Sequence, residues 1–295
     1  MKKWISAFRL RTLPLALASI GMGTFLAAAN GAFKLSIFSL CALTTILLQV
    51  LSNLANDYGD SIHGADSAGR VGPSRAVQSG KITKEAMRHA ILICGFLALF
   101  SGIGLIYVAF GFSLNFWIFF GFGLLAILAA ITYTSGYKPY GYVGLGDISV
   151  LIFFGFIAVL GSAFLYEKVV YWEYLLPALS VGLFSVGVLN VNNIRDIVSD
   201  RAAGKRSIPV RIGRDRAVIY HWSLLFVGIV SSIIYIFTTQ VTFFKLLFLI
   251  TIPLFIVNAL AAKNKVKSSE LDPYLKQMAL TTLAFVLLFG IGQLV

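Results

Sequence analysis

Apolar residues run through this chain in long unbroken blocks, unlike the alternation of a half-buried strand or the single stripe of a surface helix. A helix needs about 20 such residues to cross the roughly 30 Å hydrocarbon core of a bilayer. Nine blocks reach that length: 12–30, 35–54, 90–110, 115–134, 146–165, 173–193, 219–238, 242–261 and 275–294. The pattern predicts an all-α membrane protein of nine transmembrane helices, with one polytopic domain over 1–295. Glycine pairs inside the blocks, such as Gly102 with Gly104 and Gly121 with Gly123, suit close helix packing in lipid. Such faces serve contacts within one chain or between chains equally. The first block is long, lacks a small-residue processing site and heads eight more, so it reads as a span and not as a cleaved leader.

Composition supports the membrane class. Hydrophobic residues make up 58% of the 295 and charged ones 12%, about half the share of a soluble domain. Disorder, a collagen-like repeat and a disulfide-stapled secreted domain are excluded. Cys41 and Cys94 lie inside apolar blocks and read as small buried hydrophobes. The net charge of +12 collects in the links between blocks, which argues against a nucleic-acid binder and for a chain surrounded by membrane lipid. With the amino end placed in the cytoplasm, Lys34, Lys168 and Lys245 are the only three of 24 Lys and Arg residues on the outer side. This positive-inside bias predicts a multi-pass protein of the cytoplasmic (inner) cell membrane, its carboxyl end outside.

Ten of the twelve carboxylates share the cytoplasmic side, and two groups of them stand out. Where the second block ends, Asn53, Asn56, Asp57 and Asp60 are spaced to line one broad face if the helix continues, and Asp66 follows a turn at Gly64. Where the sixth block ends, Asn192, Asp196 and Asp200 form an i, i+4, i+8 ladder. Like charges at that spacing repel, and a divalent cation between them removes the cost. Oxygen-only donors suit Mg²⁺, which is usually shared with a substrate phosphate. Helix capping accounts for one isolated acidic pair; two ladders at membrane-embedded helix ends point to function.

Cations follow each ladder: Arg70 and Arg75 after the first, Arg201, Lys205 and Arg206 after the second. Carboxylates beside Lys and Arg with glycines between them suit a metal–diphosphate site. At the mouth of a helical cavity such a site implies an amphiphilic substrate, its tail running between helices. Arg211, Arg214 and Arg216 are accounted for as topology signals, and His63 as a loop residue. Most Phe residues read as packing or lipid-facing. A weak echo, one charged link after the second span and another after the sixth, does not separate transport from catalysis.

The two Asn/Asp motifs, Asn56-Asp57-x-x-Asp60 with Asp66 and Asn192-Asn193-x-Arg195-Asp196-x-x-x-Asp200 with Gly204-Lys205-Arg206, resemble those of the UbiA-type intramembrane aromatic prenyltransferases. Further stretches are most similar to the branch that prenylates 1,4-dihydroxy-2-naphthoate in menaquinone synthesis: Arg11-Thr-Leu-Pro-Leu, Gly72-Pro-Ser-Arg-Ala-Val-Gln-Ser-Gly and Tyr133-Thr…Pro139…Gly144-Leu-Gly-Asp147. One departure is Asp147, where that family more often carries Glu. The resemblance implies nine helices around a central cavity, Mg²⁺, a polyprenyl diphosphate donor and an aromatic acceptor.

It implies roles as well. Asn53, Asp57 and Asp60 would hold one Mg²⁺, and Asp196 and Asp200 with Asn192 the other. Asp66 would act as an outer ligand or orient Arg75, and Asn56 and Asn193 would help bind substrate, while Arg75, Arg201, Lys205 and Arg206 would take the charge of the leaving diphosphate. Arg11 or Lys138 would pair with an acceptor carboxylate, and Tyr133 or Tyr137 would face the allylic cation. Asp147 would position or deprotonate an acceptor hydroxyl, or else only start the fifth helix. Three rivals stay open on sequence: a transporter, a phosphoryl-transferring lipid enzyme, and a prenyltransferase using another acceptor such as 4-hydroxybenzoate.

Overall fold

A computed structural model describes residues 2–62, 75–137 and 139–295. With no water in hydrocarbon to satisfy backbone groups, apolar segments must close their hydrogen bonds internally as helices, and they do. Among the described residues nine helical spans are long and apolar enough to cross a membrane: Lys2–Ala29, Leu35–Ile62, Lys84–Phe110, Leu114–Thr132, Gly146–Glu167, Trp172–Arg195, Arg214–Thr238, Phe244–Asn264 and Ser268–Leu294. They are numbered first to ninth below.

The expected nine are present, but several helices run past their apolar blocks. The second continues to Ile62, the third starts at Lys84 and the ninth at Ser268. Local chemistry explains the extensions. Thr83 accepts from Ala86 N (3.2 Å) with Glu85 in the first turn, a favourable start for the third span. Polar residues of the second span's last turns find partners instead of lipid, as described below.

The two halves are packed differently. Between the sixth, eighth and ninth spans the largest side chains are fully buried: Phe184 lies 4.4 Å from Phe255 and 5.0 Å from Phe285 by ring centroids. Polar pairs join the same region, His221 Nε2 with Asn258 Oδ1 at 3.0 Å and Ser232 Oγ with Ser180 Oγ at 2.8 Å. Spans one to five, closed by one face each of the sixth and ninth, instead surround a cavity of ≈ 900 Å³. Close crossings hold the halves together. A Cβ on Gly23 of the first span would sit 2.2 Å from the Val159 carbonyl of the fifth, and Gly155 would meet Gly182 of the sixth at 2.9 Å. The fifth span is π-helical over Leu151–Leu160, and this wider stretch carries Phe153, Phe154, Phe156 and Ile157 on the cavity wall.

Candidate active site

One end of the cavity is charged, and the rest is predominantly apolar. Asp60 and Cys41 of the second span both line it, about 28 Å apart along a helix rising 1.5 Å per residue. Phe119 and Phe164 line the walls from other spans. Cys41 is buried and unpaired as a disulfide, and Cys94 is likewise free.

At the charged end the first acidic motif stays on one continuous helix, Leu35–Ile62. Its cavity face is narrower than the broad face of four that spacing suggests. Asn53, Asn56 and Asp60 line the cavity. Asp57 does not: both its oxygens accept from loop backbone, Oδ2 from Ala76 N (3.0 Å) and Oδ1 from Val77 N (3.1 Å). Two otherwise unpaired amides drew it aside. The Asn53 amide is also committed, donating to Phe8 O and Thr12 Oγ1, both at 3.0 Å. It clamps the turn in which Arg9 is left-handed (φ 49°), and so presents Arg9 and Arg11 to the cavity. Asn56 accepts from Thr134 Oγ1 (3.1 Å). Gly59 permits that approach, since a Cβ there would lie 2.5 Å from Thr134 O.

Asp60 is the hub. Arg75 pairs with it, Lys205 Nζ lies 3.3 Å away, and Tyr142 donates its hydroxyl at 2.6 Å. Lys205 also reaches Asp200 (3.6 Å), so one ammonium joins the two motifs. A left-handed Gly204 (φ 72°) turns the chain into Lys205, whose Nζ sits 4.7 Å over the Tyr142 ring.

The second ladder is interrupted at Asp196, between helices Leu175–Arg195 and Ile197–Ala202. Its backbone spacing survives, with Asp196 N to Asn192 O at 3.0 Å and Asp200 N to Asp196 O at 2.8 Å. Asn192, Asn193, Asp196 and Asp200 all line the cavity. Asp196 is gripped by its own neighbour: Arg195 donates from Nε to Oδ1 (2.8 Å) and from Nη2 to Oδ2 (2.7 Å).

Tyr133 and Asp147 complete the wall. The Tyr133 ring meets Tyr140 edge-on (5.2 Å, 87°) and is wedged by Gly141 and Gly146, where any Cβ would come within 3.0 Å of it. Burial first, and Asp147 second, push the Tyr133 phenol well above its ordinary value, so it stays neutral at physiological pH. Asp147 accepts from Tyr220 (3.0 Å).

Three expected residues lie elsewhere. Tyr137 is 93% exposed, and Arg201 and Arg206 are exposed; none lines this cavity. The turn at Gly204 that brings Lys205 inward sends its neighbours outward. Asp66 and Lys138 fall outside the described residues, as do His63 and Arg70.

The cavity-facing donors, carboxylates and amides, are all oxygen, which fits Mg²⁺. Among the described residues no three carboxylate, imidazole or thiol groups converge as a metal cage. Such a donor set fits a cation shared with a substrate's phosphates.

Residues 15–292 match the UbiA prenyltransferase family. The chain belongs to that family. Along its whole length it is 42% identical to a 1,4-dihydroxy-2-naphthoate octaprenyltransferase of Haemophilus influenzae, with 96% of that protein covered. It is also 42% identical to the Escherichia coli protein of the same name, over 98% of this chain and 94% of that one. The fold resembles a UbiA homologue from Aeropyrum pernix (TM-score 0.70, 18% identity, 97% of each chain). It also resembles one from Archaeoglobus fulgidus bound to DMAPP and Mg²⁺ (TM-score 0.69, 15% identity, 99% of each).

In this UbiA-family prenyltransferase, sequence reasoning missed Tyr142, Tyr220, Arg195 and Asp272 as parts of the site. Tyr142 and Tyr220 carry no local signal; each is brought in by a distant element. Arg195 was visible as a cation inside the acidic ladder. Asp272, an acid just ahead of Pro273, is the partner it needed: Arg195 Nη1 reaches Asp272 Oδ1 at 2.6 Å.

Proposed function

We propose that this enzyme transfers a polyprenyl group from its diphosphate to 1,4-dihydroxy-2-naphthoate, releasing diphosphate and CO₂ and giving the demethylmenaquinol, with Mg²⁺ as cofactor and the charged end of the cavity facing the cytoplasm. The observation that carries this reading is one continuous cavity with two acidic motifs, Arg75 and Lys205 at its mouth and apolar walls beyond. The full-length relatives named for that acceptor support the choice of aromatic.

The diphosphate sits among Arg75, Lys205 and Arg9, which fix its orientation and take up charge as the allylic C–O bond breaks. Asp60, Asp196 and Asp200, with Asn192 and Asn193, would hold Mg²⁺, which would supply neutralisation of the diphosphate charge. Asp57 serves the site indirectly by tying down the 76–77 backbone next to Arg75. The tail lies along the second to fifth spans, whose side chains exclude the water that would trap an allylic cation. The neutral Tyr133 ring flanks that cation. Arg11 pairs with the acceptor carboxylate, and Asp147, oriented by Tyr220, takes a hydrogen bond from an acceptor hydroxyl. The ring carbon bearing the carboxylate attacks, and loss of CO₂ restores aromaticity.

Purified protein in detergent, given octaprenyl diphosphate, Mg²⁺ and an equimolar mixture of dihydroxynaphthoate and 4-hydroxybenzoate, is expected to prenylate the naphthoate with release of CO₂ and to stop on adding EDTA. Preferential prenylation of 4-hydroxybenzoate would overturn the acceptor assignment. Tyr142→Phe keeps the ring under Lys205 but removes the 2.6 Å bond to Asp60. A hydrogen bond to a charged group is worth about 1.5–3 kcal/mol, so kcat/KM for the prenyl diphosphate should fall roughly tenfold or more. An unchanged value would remove Tyr142 from the site.

A further inference from the structure

Four charges alternate across the end of the bundle: Arg11 of the first span, Asp272 of the ninth, Arg195 of the sixth, and Asp196. Arg11 Nη1 lies 3.1 Å from Asp272 Oδ2, and Arg195 Nη1 lies 2.6 Å from Asp272 Oδ1. Arg195 occupies both oxygens of Asp196 through Nε and Nη2, and its Nη2 also donates to Asn192 Oδ1 at 2.9 Å. Arg195 and Asp196 are each 3% exposed, while Asp272 and Arg11 are about one-third exposed.

A guanidinium so placed takes up the oxygens through which Asp196 and Asn192 could hold a cation. The bidentate pair with Asp196 lies between chain neighbours and joins no spans, whereas the bond to Asp272 ties the sixth span to the ninth and gives the same guanidinium a second anion. Breaking a buried pair leaves a costly lone charge. Asp272 supplies an alternative anion at 2.6 Å, on a different helix, already in contact before Asp196 is released.

We infer that Arg195 is the resident counter-ion of the second acidic motif: it neutralises Asp196 until a divalent cation takes that carboxylate, and Asp272 retains Arg195 when it lets go. Asp272 is thereby a positioning residue, acting on Asp196 through Arg195, and Arg11 tunes it by sharing the same carboxylate. The inference rests on the reading of Asp196 as a cation ligand.

The test titrates Mn²⁺ alone into the detergent-solubilised full chain and follows free Mn²⁺ by electron paramagnetic resonance. Arg195→Lys keeps the charge but loses the planar fork that grips two acids at once. It is expected to bind Mn²⁺ about threefold to tenfold more tightly than the wild type, since the competitor has lost roughly one charge-assisted hydrogen bond. Asp272→Asn leaves Arg195 with no second anion and is expected to bind about tenfold more weakly. A general electrostatic effect of nearby charge predicts no change for Arg195→Lys, so affinity equal to or below that of the wild type in this variant overturns the inference. Should Asp272→Asn fail to fold, Arg195→Lys decides alone. Wild-type protein that takes up no Mn²⁺ overturns the cation-ligand reading and this inference together; wild-type binding with an unmoved Arg195→Lys overturns this inference only.

Discussion

Asp60→Asn is expected to lower kcat by about 10³-fold, the scale on which removing one preorganised electrostatic group acts. The substitution conserves shape and removes charge. Asp60 is where Arg75, Lys205 and the Tyr142 hydroxyl converge, so the substitution breaks its ion pair with Arg75, which is only 7% exposed. Breaking a buried ion pair by removing one partner is destabilising, and a lower melting temperature should accompany the loss of turnover. The two effects can be parted. Adding Arg75→Gln removes the other charge of the broken pair, and the double variant is expected to regain part of the melting temperature and none of the turnover. Turnover within tenfold of wild type in the single variant would show that Asp60 is structural.

The second large effect is on the fold. Gly23→Val places a Cβ 2.1 Å from Ser162 Oγ, 2.2 Å from Val159 O and 2.9 Å from Ala163 N. Two of these are backbone atoms of the fifth span, which no rotamer change can move. Overpacking typically costs about 1–3 kcal/mol when neighbours can adjust, and here they cannot, so the variant should fail to accumulate as folded protein. Gly104→Val is the control. It lies in the third span with nothing within 4 Å of its Cβ position, and its melting temperature should match that of the wild type. Equal folding yields for the two variants would mean that the first and fifth spans do not cross as closely as described.

The spans were legible because the bilayer imposes a length and leaves helices as the way to satisfy the backbone; the ends were less so, because polar residues past an apolar block look like loop. Thus the second span was read to 54 yet runs to Ile62. The acidic motifs were legible through helical spacing, which places Asn56 near Asp60 and Asn192 near Asp196. Spacing cannot say what arrives from elsewhere. Asp57 has the right position for the cavity face and is taken by Ala76 and Val77 amides. Arg201, Lys205 and Arg206 look equivalent along the chain, yet after the left-handed turn at Gly204 only Lys205 of the three lines the cavity. Tyr137 and Tyr142 are five residues apart, yet the first is 93% exposed while the second donates to Asp60. Asp272 is one of the ten carboxylates that topology places on the cytoplasmic side, but its meaning depends on Arg195, 77 positions away in sequence.

The wide winding of the fifth span over Leu151–Leu160 bears on how this chain tolerates changes in length. A π-helical stretch spends more residues per turn than an α-helix and is usually found at functional sites. Deleting one residue there lets the segment tighten, and the tightening rotates everything on one side of it against everything on the other. Asp147 lies on one side and Phe164 on the other, both facing the same cavity. A single-codon deletion between 151 and 160 would therefore leave a helix that still crosses the membrane and still reads as apolar, but with its acid and its tail wall no longer in phase. A deletion beyond Phe164 would not disturb that phase. In this span, reading frame along the helix is part of the chemistry.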